Sequence, residues 1–175
     1  IARLTASNGV SSATAIATAI ASIGTAHGGA AEALAKILQE NDGKSAAEIV
    51  KEFQEKKKRI PGFGHKIYQV DPRTQALLKI AENTGFNGKF VSLALEIEKE
   101  LEKSYEKKLP LNIDGIIAAL MSELGFDYSL GKSLFIISRI VGIAAHVREE
   151  QVTNKPVRRI SEEDVSYTGE KKRDL

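Results

Sequence analysis

Apolar residues recur at helical spacing through most of this chain, and clusters of Gly, Asn, Asp and Pro separate the runs. Residues 90–106 show the pattern, since Leu93, Ile97 and Leu101 follow one another at intervals of four, and Leu95 is a further apolar residue among the Glu and Lys residues. This spacing is typical of amphipathic α-helices, whereas a half-buried strand would alternate apolar and polar residues. No stretch alternates convincingly and no internal repeat is present. We therefore predict an all-α fold with helices of mostly about 10 to 20 residues.

The composition limits the classes of function. A chain of 175 residues with 42% hydrophobic residues is long enough to bury a core. Its net charge of +2 gives no general attraction to polyanions, so we predict no nucleic-acid partner. The absence of Cys excludes disulfides and thiolate chemistry. We expect a cytoplasmic protein, because nothing in the sequence indicates secretion.

No membrane partner is predicted either. The longest apolar run, residues 134–147, is interrupted by Arg139 and His146 and is shorter than the roughly 20 residues of a membrane span. The chain begins at Ile1 and lacks the basic-then-apolar pattern of a signal peptide. We therefore expect a fragment or a processed product.

Small and capping residues set the expected helix boundaries in the first third of the chain. Residues 1–26 are rich in Ala, Ser and Thr and predict a closely packed helix that ends at Gly24. Ser45 and Glu48 have the spacing of a capping box. The helix that this box opens is expected to end in the four cations at 56–59, which suit the helix dipole.

The remaining helices follow from similar signals. A helix that begins at Asp71 is expected to turn three apolar side chains inward: Leu77, Leu78 and Ile80. Asp114 is expected to cap a helix that runs through Leu124. Residues 129–151 predict the longest and most apolar helix, a candidate for the domain centre. The polar residues after Asn154 predict an arm on a neighbouring subunit or, alternatively, a disordered tail.

The loop within residues 59–73 combines turn residues with two groups that can act on a substrate. Three residues that disfavour regular helix and strand shape it: Pro61, Gly62 and Gly64. His65 therefore lies on a shaped loop. Asp71 before Pro72 predicts an N-cap, which places Arg73 in the first helical turn. The loop offers an imidazole and a guanidinium to the same space, and the alternative is a surface turn with an incidental histidine.

Three residues that can transfer protons lie at predicted junctions between a loop and a helix: His27, His65 and Asp114. A histidine just before a helix N-terminus is favoured as a neutral ring that donates a hydrogen bond, which suits stabilisation of an enolate or alkoxide. An aspartate at the start of an apolar helix can act as a general base. The alternatives are a capping or packed imidazole for His27 and plain capping for Asp114.

Two cationic features are open to two interpretations each. Arg139 interrupts the most apolar helix, where an unpaired guanidinium would be costly, so we expect an anionic partner in a ligand or in an internal ion pair. The cations at 56–59 lead into the glycine loop, where backbone amides can meet phosphate, or they are simply a solvated helix end. No motif of a serine hydrolase, a zinc protease or a P-loop nucleotide-binding protein is present.

Four separated motifs resemble the citrate synthase superfamily in their order and spacing. They are Gly24-Thr-Ala-His27-Gly-Gly-Ala, Pro61-Gly-Phe-Gly-His65 with Asp71-Pro-Arg73, Leu111-Asn-Ile-Asp114, and Ser138-Arg139 with Val141-Gly142. The closing Tyr167-Thr-Gly is also similar to the end of such a chain. The resemblance implies an all-α citrate synthase-like fold in which a large domain and a small CoA-binding domain close over the site of a homodimer or higher oligomer. It assigns residues 1–28 and 123–175 to the large domain and residues 29–122 to the small domain.

The resemblance also implies roles for individual residues. His27 stabilises the acetyl-CoA enol, His65 donates to the oxygen of the oxaloacetate-derived carbon, and Asp114 is the base or acid at the acetyl methyl. Three arginines grip carboxylates, the last from the neighbouring subunit: Arg73, Arg139 and Arg159, with Arg158 as the alternative to Arg159. The adenine end of CoA is expected against five loop residues: Ile60, Pro61, Gly62, Phe63 and Gly64. Asn112 is expected near the thioester arm. A CoA thioester is then a substrate, no cofactor is tightly bound, and the chemistry requires no metal.

Departures from the synthase pattern favour a lyase. After the aspartate, synthases resemble Asp-x-x-Ser-Gly, whereas Asp114-Gly-Ile-Ile-Ala-Ala-Leu looks like citryl-CoA lyases and the lyase module of ATP-citrate lyase. The Arg-Pro-Arg tail of synthases is absent, and Arg159 precedes a lyase-like Glu163-Asp-Val-Ser-Tyr167. The family carries a further oxaloacetate-binding histidine upstream of the position of Ile1, so we expect either a fragment or an incomplete site.

The resemblance therefore implies cleavage of citryl-CoA to acetyl-CoA and oxaloacetate, with citrate, oxaloacetate and acetyl-CoA as small-molecule partners around the tricarboxylic acid cycle. One alternative is a citrate synthase or a 2-methylcitrate synthase-like enzyme, because the same groups can run the condensation. A second alternative is a non-catalytic helical binding or assembly module.

Overall fold

The computed structural model describes residues 1–105, 107–157 and 159–170. Over these residues the chain forms α-helices and two short 3-10 turns, Tyr128–Leu130 and Glu162–Asp164, and no strand. The α-helices are α1 (Ala2–Ser7), α2 (Ser12–Ala21), α3 (Ala30–Glu40), α4 (Ala46–Glu55), α5 (Pro72–Thr84), α6 (Lys89–Tyr105), α7 (Ile113–Glu123) and α8 (Gly131–Thr153). The predicted all-α class is confirmed.

Contacts within the chain divide it into two units. The middle unit is Ile23–Arg139, and the terminal unit combines Ile1–Ser22 with the described residues from Ile140 onward. Helix α8 starts in the middle unit and ends in the terminal unit. The predicted large domain of residues 1–28 and 123–175 and small domain of residues 29–122 stay a prediction.

The core of the middle unit lies among four amphipathic helices. Helix α7 packs against α3 and α6, and α4 packs against α6. Large side chains that are almost fully buried fill the centre: Leu34, Leu38, Ile49, Ile97, Ile116 and Met121. Burial of each such side chain stabilises the fold by about 1.5 to 3 kcal/mol. This core supports the loops that precede α3, α5 and α7.

Side-chain caps fix the ends of these helices. The predicted capping box of α4 is confirmed, since the Ser45 hydroxyl accepts from the Glu48 amide and the Glu48 carboxylate accepts from the Ser45 amide. Helix α6 is capped from another helix, because the Glu123 carboxylate at the end of α7 accepts from the amides of Phe90 and Val91. The two capping modes satisfy amides that a helix leaves without a partner.

The terminal unit is held by a small apolar cluster and an ion-pair network. Ala6, Ala15 and Val147 are buried together. The guanidinium of Arg3 donates to Glu150 over 2.9 Å and to Glu149 over 2.7 Å, so it ties α1 to the end of α8. Breaking a pair that includes a buried carboxylate is costly, because the charge left behind has lost its partner.

The N-terminal segment is not the single helix that residues 1–26 predicted. Helix α1 ends at Ser7, and Gly9 has a positive φ of 77°, a conformation that glycine adopts at little cost. The Ser11 hydroxyl then accepts from the Thr14 amide over 3.1 Å and starts α2. The prediction failed because a serine in a helical pattern is also a strong N-cap.

Helix α8 is the longest helix, as predicted, but it is not the centre of a domain. Phe135 and Val147 are buried, whereas Ile137 and Val141 are 61% and 80% exposed. The prediction was wrong because apolar content does not say which face of a helix finds a partner.

The stretch Tyr128–Thr153 does have the length and apolar composition of a membrane span. The argument that the run is too short is therefore also wrong, although the core helix of a soluble protein can meet the same criterion.

Two details of α4 and α5 also differ from the predictions. Helix α4 ends at Glu55, so the four cations at 56–59 follow the helix and do not form its last turn. On α5, Leu77 and Leu78 are half-buried as expected, but Ile80 is 56% exposed. Thr74 and Ala81 take the inward face of α5 instead.

Candidate active site

The loop of residues 60–65 is clamped onto the segment that leads into α7. The Gly64 amide donates to the Pro110 carbonyl over 2.7 Å, and the Asn112 amide donates to the Gly62 carbonyl over 3.0 Å. Gly62 has a φ of 84°, and a Cβ at this position would lie 2.9 Å from the Gly115 Cα. Glycine is therefore required both for the backbone conformation and for the close approach to α7.

His65 is oriented by its own loop. Its Nδ1 atom accepts from the backbone amides of Ile67 and Tyr68, both over 3.1 Å. The Tyr68 ring lies against the imidazole with 4.6 Å between the ring centroids. Since Nδ1 is an acceptor, a neutral His65 carries its proton on Nε2. The ring is thus arranged as a hydrogen-bond donor through Nε2.

Asp71 and Arg73 form an ion pair at the start of α5. The predicted N-cap is confirmed, since the Asp71 carboxylate accepts from the Arg73 amide over 3.0 Å and Pro72 is the first helical residue. The hydrogen bonds from Arg73 hold the pKa of Asp71 below its ordinary value. Hydrogen bonding to Asp71, with a smaller contribution from the charge of Asp114, raises the pKa of Arg73. Arg73 Nη2 also lies 3.5 Å from His65 Nε2, so both groups face one space.

Asp114 lies in the first turn of α7 and is not its cap. The cap is Asn112, whose side-chain oxygen accepts from the amides of Asp114 and Gly115 over 3.0 and 3.1 Å. The predicted capping by Asp114 is therefore wrong. Asn112 also donates from Nδ2 to the Gly64 carbonyl over 3.0 Å. Because Asn112 makes the capping bonds, the half-buried Asp114 carboxylate is left for other contacts.

His27 and Arg139 both contact one aromatic ring, that of Phe135 on α8. The His27 ring meets it edge-on, with 5.4 Å between centroids and 85° between planes. The Arg139 Cζ lies 4.0 Å from the ring centroid. Among the residues that the structure describes, no carboxylate pairs with Arg139, so the internal ion pair is not found. Arg139 is exposed, and the argument from the cost of burying its charge does not hold.

One open pocket of about 510 Å³ in the middle unit collects five of the predicted polar groups. They are His27, His65, Arg73, Asp114 and Arg139, with Asn112 and Pro61 also in the lining. Arg159 is exposed and belongs to the terminal unit, so its predicted role is untested. Arg158 lies outside the described residues.

A second pocket, of about 530 Å³, also borders the loop of residues 60–65. Ile60, Phe63 and Gly64 line it, as does His65, which therefore borders both pockets. Five cations also contribute to the lining: Lys58, Arg59, Lys66, Lys107 and Lys108. This arrangement of apolar surface with cations suits a ligand that carries both an aromatic base and phosphates. Gly62 lines neither pocket within the described residues and acts through the backbone.

Several of these residues were missed by sequence reasoning. Lys107 and Lys108 are far in sequence from the cations at 56–59, and Lys66, which follows His65 directly, gives no sequence signal that it lines the same pocket. Phe135 could have been found, since it lies one helical turn before Arg139 and therefore on the same face of the helix.

The geometry permits chemistry at a carbon next to a carbonyl. Two imidazoles can donate to two oxygens, and a carboxyl group can exchange a proton with carbon. Two guanidinium groups can hold carboxylates. His27 and His65 lie on the loops before α3 and α5, whereas Arg73 and Asp114 lie in the first turns of α5 and α7 and Arg139 lies on α8.

Comparison with known proteins identifies the family. The model of the C-terminal domain of citrate synthase matches residues 1–160. The chain belongs to the citrate synthase family. Citrate synthase 2 of Bacillus subtilis (strain 168) is 35% identical over 138 residues, which are 77% of this chain and 37% of that protein. The chain spans well under half the length of the curated relatives that it matches.

Solved structures show the same fold. Citryl-CoA lyase from Hydrogenobacter thermophilus is 46% identical with a TM-score of 0.92, and the match covers 99% of this chain and 70% of that chain. ATP citrate lyase from Methanothrix soehngenii, in complex with citrate and coenzyme A, is 26% identical with a TM-score of 0.78. That match covers 97% of this chain and 30% of the other. The predicted resemblance to the citrate synthase superfamily is confirmed.

Proposed function

We propose that this chain cleaves citryl-CoA to acetyl-CoA and oxaloacetate, as a citryl-CoA lyase or as part of one. The observation that carries the proposal is the pocket that brings together His27, His65, Asp114, Arg73 and Arg139. The likeness to the citryl-CoA lyase of Hydrogenobacter thermophilus supports the choice of substrate.

Cleavage breaks the bond between the hydroxyl-bearing carbon and the methylene carbon next to the thioester. The hydroxyl proton passes to solvent through the open pocket, and its oxygen becomes the ketone of oxaloacetate, to which the Nε2–H group of His65 donates. The electron pair of the broken bond passes to the thioester as an enolate, which His27 stabilises by a hydrogen bond. Asp114 in its acid form then protonates the methylene carbon to give acetyl-CoA. One proton passes from the hydroxyl to solvent and one passes from Asp114 to carbon, and Asp114 then regains a proton from solvent, so the reaction balances.

The two pockets divide the substrate between them. Arg73 and Arg139 bind the carboxylates of the citryl group, and the ion pair with Asp71 fixes the direction of Arg73. The nucleotide end of CoA occupies the pocket of about 530 Å³, where Lys66 and other cations meet its phosphates. The thioester arm then passes Asn112, next to the loop of residues 60–65.

The proposal includes a homodimer or higher oligomer in which Arg159 reaches the neighbouring site. Arg159 and the described residues that follow it, 160–170, are exposed, as an arm on a partner requires in a single chain. Light scattering measures the oligomeric state. An Arg159→Ala variant that keeps the state but loses affinity for citryl-CoA supports the role, whereas unchanged kinetics overturn it.

The proposed reaction is tested with purified protein and citryl-CoA, by following oxaloacetate with a coupled dehydrogenase. Asp114→Asn should lower kcat by about 10²- to 10⁴-fold, the usual contribution of a general acid. Asp127→Asn is the control, because Asp127 is an exposed cap in the same unit and lines neither pocket. Wild-type turnover by Asp114→Asn overturns the assignment of Asp114.

Condensation of acetyl-CoA with oxaloacetate is the second candidate, favoured by the curated relatives named citrate synthase. The same residues serve both directions, so kinetics must decide between them. Rates of condensation and cleavage are compared at matched saturation. Faster condensation assigns a synthase, with 2-methylcitrate chemistry tested by propionyl-CoA.

A non-catalytic helical binding or assembly module remains the alternative from another class. Titration calorimetry with CoA and with oxaloacetate distinguishes it from an enzyme. Heat of binding for both ligands supports the proposed site. If neither CoA nor oxaloacetate binds, the result favours the non-catalytic module.

A further inference from the structure

The ring of Phe135 contacts two predicted site residues that are far apart in sequence. His27 meets the ring in an edge-to-face arrangement, and the Arg139 guanidinium lies over the ring face, 4.0 Å from its centroid. Phe135 itself is 5% exposed. One buried ring therefore lies in contact with both His27 and Arg139.

The contact with Arg139 determines how that guanidinium meets an anion. Phe135 and Arg139 are one turn apart on α8, which places both on one face of the helix. A guanidinium that stacks on an aromatic face keeps the N–H groups on its edge free. No carboxylate among the described residues pairs with Arg139, and its guanidinium contacts the ring and donates to the Ser138 hydroxyl. The ring thus holds an exposed cation ready for a carboxylate.

The contact with His27 is supported by the backbone beside it. The turn that carries His27 is closed by a hydrogen bond of 3.0 Å from the His27 amide to the Gly24 carbonyl. Gly28 follows with a φ of 99°, and a Cβ there would lie 2.6 Å from Phe135 Cδ1. The absence of a side chain at Gly28 lets the ring approach the turn and meet the imidazole edge-on, a favoured geometry for aromatic pairs.

We propose that Phe135 is a positioning residue that fixes His27 and Arg139 relative to each other. The inference rests on the proposed function for the identity of the ligands, but the arrangement of the three side chains can be tested without turnover. The alternative is that the Phe135 ring only fills space in the core of the middle unit and does not orient either side chain.

The first test follows the two side chains by NMR in the ligand-free protein. The ring current of Phe135 shifts the resonances of His27 and of the Arg139 guanidinium. Phe135→Leu, with Phe135→Met as a second variant should the first fail to fold, is expected to move both sets of resonances and to broaden them. Phe86→Leu is the matched control, because Phe86 is 44% exposed and lines neither pocket. Unchanged His27 and Arg139 resonances in a folded Phe135 variant overturn the proposal.

The second test separates positioning from packing. Pentafluorophenylalanine at position 135 keeps the shape of the ring but reverses its quadrupole, so it removes the attraction for a cation. The dissociation constant for oxaloacetate should rise about 3- to 10-fold, the effect of a lost cation–π contact. Phe135→Tyr keeps the quadrupole and should restore wild-type affinity. If the fluorinated and wild-type proteins bind oxaloacetate with equal affinity, the ring only fills space. That result overturns the proposal.

The two proposals fail in different ways. A wild-type protein that neither binds oxaloacetate nor cleaves citryl-CoA overturns the proposed function. In that case the NMR comparison still decides whether Phe135 orders His27 and Arg139. If Phe135→Leu cleaves citryl-CoA with the KM and kcat of the wild type, the proposed function stands. The positioning role of Phe135 is then overturned.

Discussion

The buried carboxylate of Asp71 holds the guanidinium of Arg73 through two parallel hydrogen bonds, Nε to Oδ1 over 2.9 Å and Nη2 to Oδ2 over 2.8 Å. The same carboxylate accepts from the Ile113 amide at the start of α7 over 3.1 Å. Asp71 therefore joins the beginnings of α5 and α7, the two helices that carry Arg73 and Asp114. A single side chain links the proposed carboxylate-binding group to the proposed acid.

Asp71→Asn should destabilise the protein and weaken substrate binding together. The amide keeps the size of the side chain but cannot accept all of these bonds, so we expect a loss of about 1 to 3 kcal/mol in the free energy of unfolding. Arg73 is 48% exposed, which places the loss below that of a fully buried pair. Urea unfolding measures stability, and the KM for citryl-CoA should rise.

Asp127→Asn is the matched control for that change. Asp127 also caps a short helix by accepting from the amide two residues later, over 2.9 Å, but it is exposed and pairs with no guanidinium among the described residues. It should cost about 1 kcal/mol or less. Equal losses in the two variants would mean that the Asp71 ion pair adds nothing beyond capping.

The same ion pair predicts how stability depends on pH. The hydrogen bonds from Arg73 lower the pKa of Asp71 in the folded protein below its ordinary value of 3.8. Between the two pKa values the unfolded chain binds a proton that the folded protein does not, so the stabilisation is complete above about pH 4 and is lost as the pH falls through the folded pKa. The stability difference between wild type and Asp71→Asn should shrink below pH 4. A constant difference down to pH 2 contradicts this account.

Lys57 has a positive φ of 52° directly after Lys56, the C-cap of α4, in a position where glycine is favoured. Its amide donates to the Gln54 carbonyl over 2.9 Å, so the conformation is part of the helix end. Lys57→Gly should stabilise the protein by about 0.5 to 1 kcal/mol, because the strain of a side chain at positive φ is relieved. Lys56→Gly is the control: with a φ of −78° it gains nothing and should be destabilising. Thermal unfolding measures both.

Local signals made several of these features predictable. The all-α class, the capping box of Ser45 and Glu48, and the N-cap at Asp71 depend on residues within a few positions of one another. The cap of α7 was mispredicted because Asn112 and Asp114 are both good caps, and the choice depends on which side chain reaches the free amides of the first turn.

Long-range features were not predictable in the same way. The burial of α8 depends on which faces meet partners, and the contact of His27 with Phe135 depends on how the turn before α3 meets α8. The cations around the pocket of about 530 Å³ come from three segments, near residues 58, 66 and 107. Sequence motifs placed His27, His65 and Asp114 in one site through the family resemblance, whereas the residues that orient them required the structure.

Glu123 should matter for stability although it lies outside the proposed site. Its carboxylate caps α6 by accepting from the Phe90 and Val91 amides, and a Cβ at Gly88 would lie 2.6 Å from Glu123 Oε2, so the approach is tight. Glu123→Ala should cost about 1 to 2 kcal/mol in the free energy of unfolding, the effect of a lost N-cap. Glu96→Ala, on the exposed face of α6, is the control and should change stability by less than about 0.5 kcal/mol. Hydrogen exchange at the start of α6 should rise in the first variant alone.

Lys66 tests whether the pocket of about 530 Å³ holds the nucleotide end of CoA. The side chain lines this pocket next to His65 but does not line the pocket that contains Asp114. Lys66→Glu should therefore raise the dissociation constant for CoA about 10-fold or more, through repulsion of the phosphates, and leave kcat close to wild type. The effect should weaken as salt is added, because salt screens exposed charges.

Lys79→Glu is the matched control. It reverses the charge of an exposed α5 residue that lines neither pocket, so the two variants have the same net charge. If both variants bind CoA with equal affinity in calorimetry, the nucleotide lies elsewhere; a drop in kcat without a change in affinity would instead mean that Lys66 acts on His65.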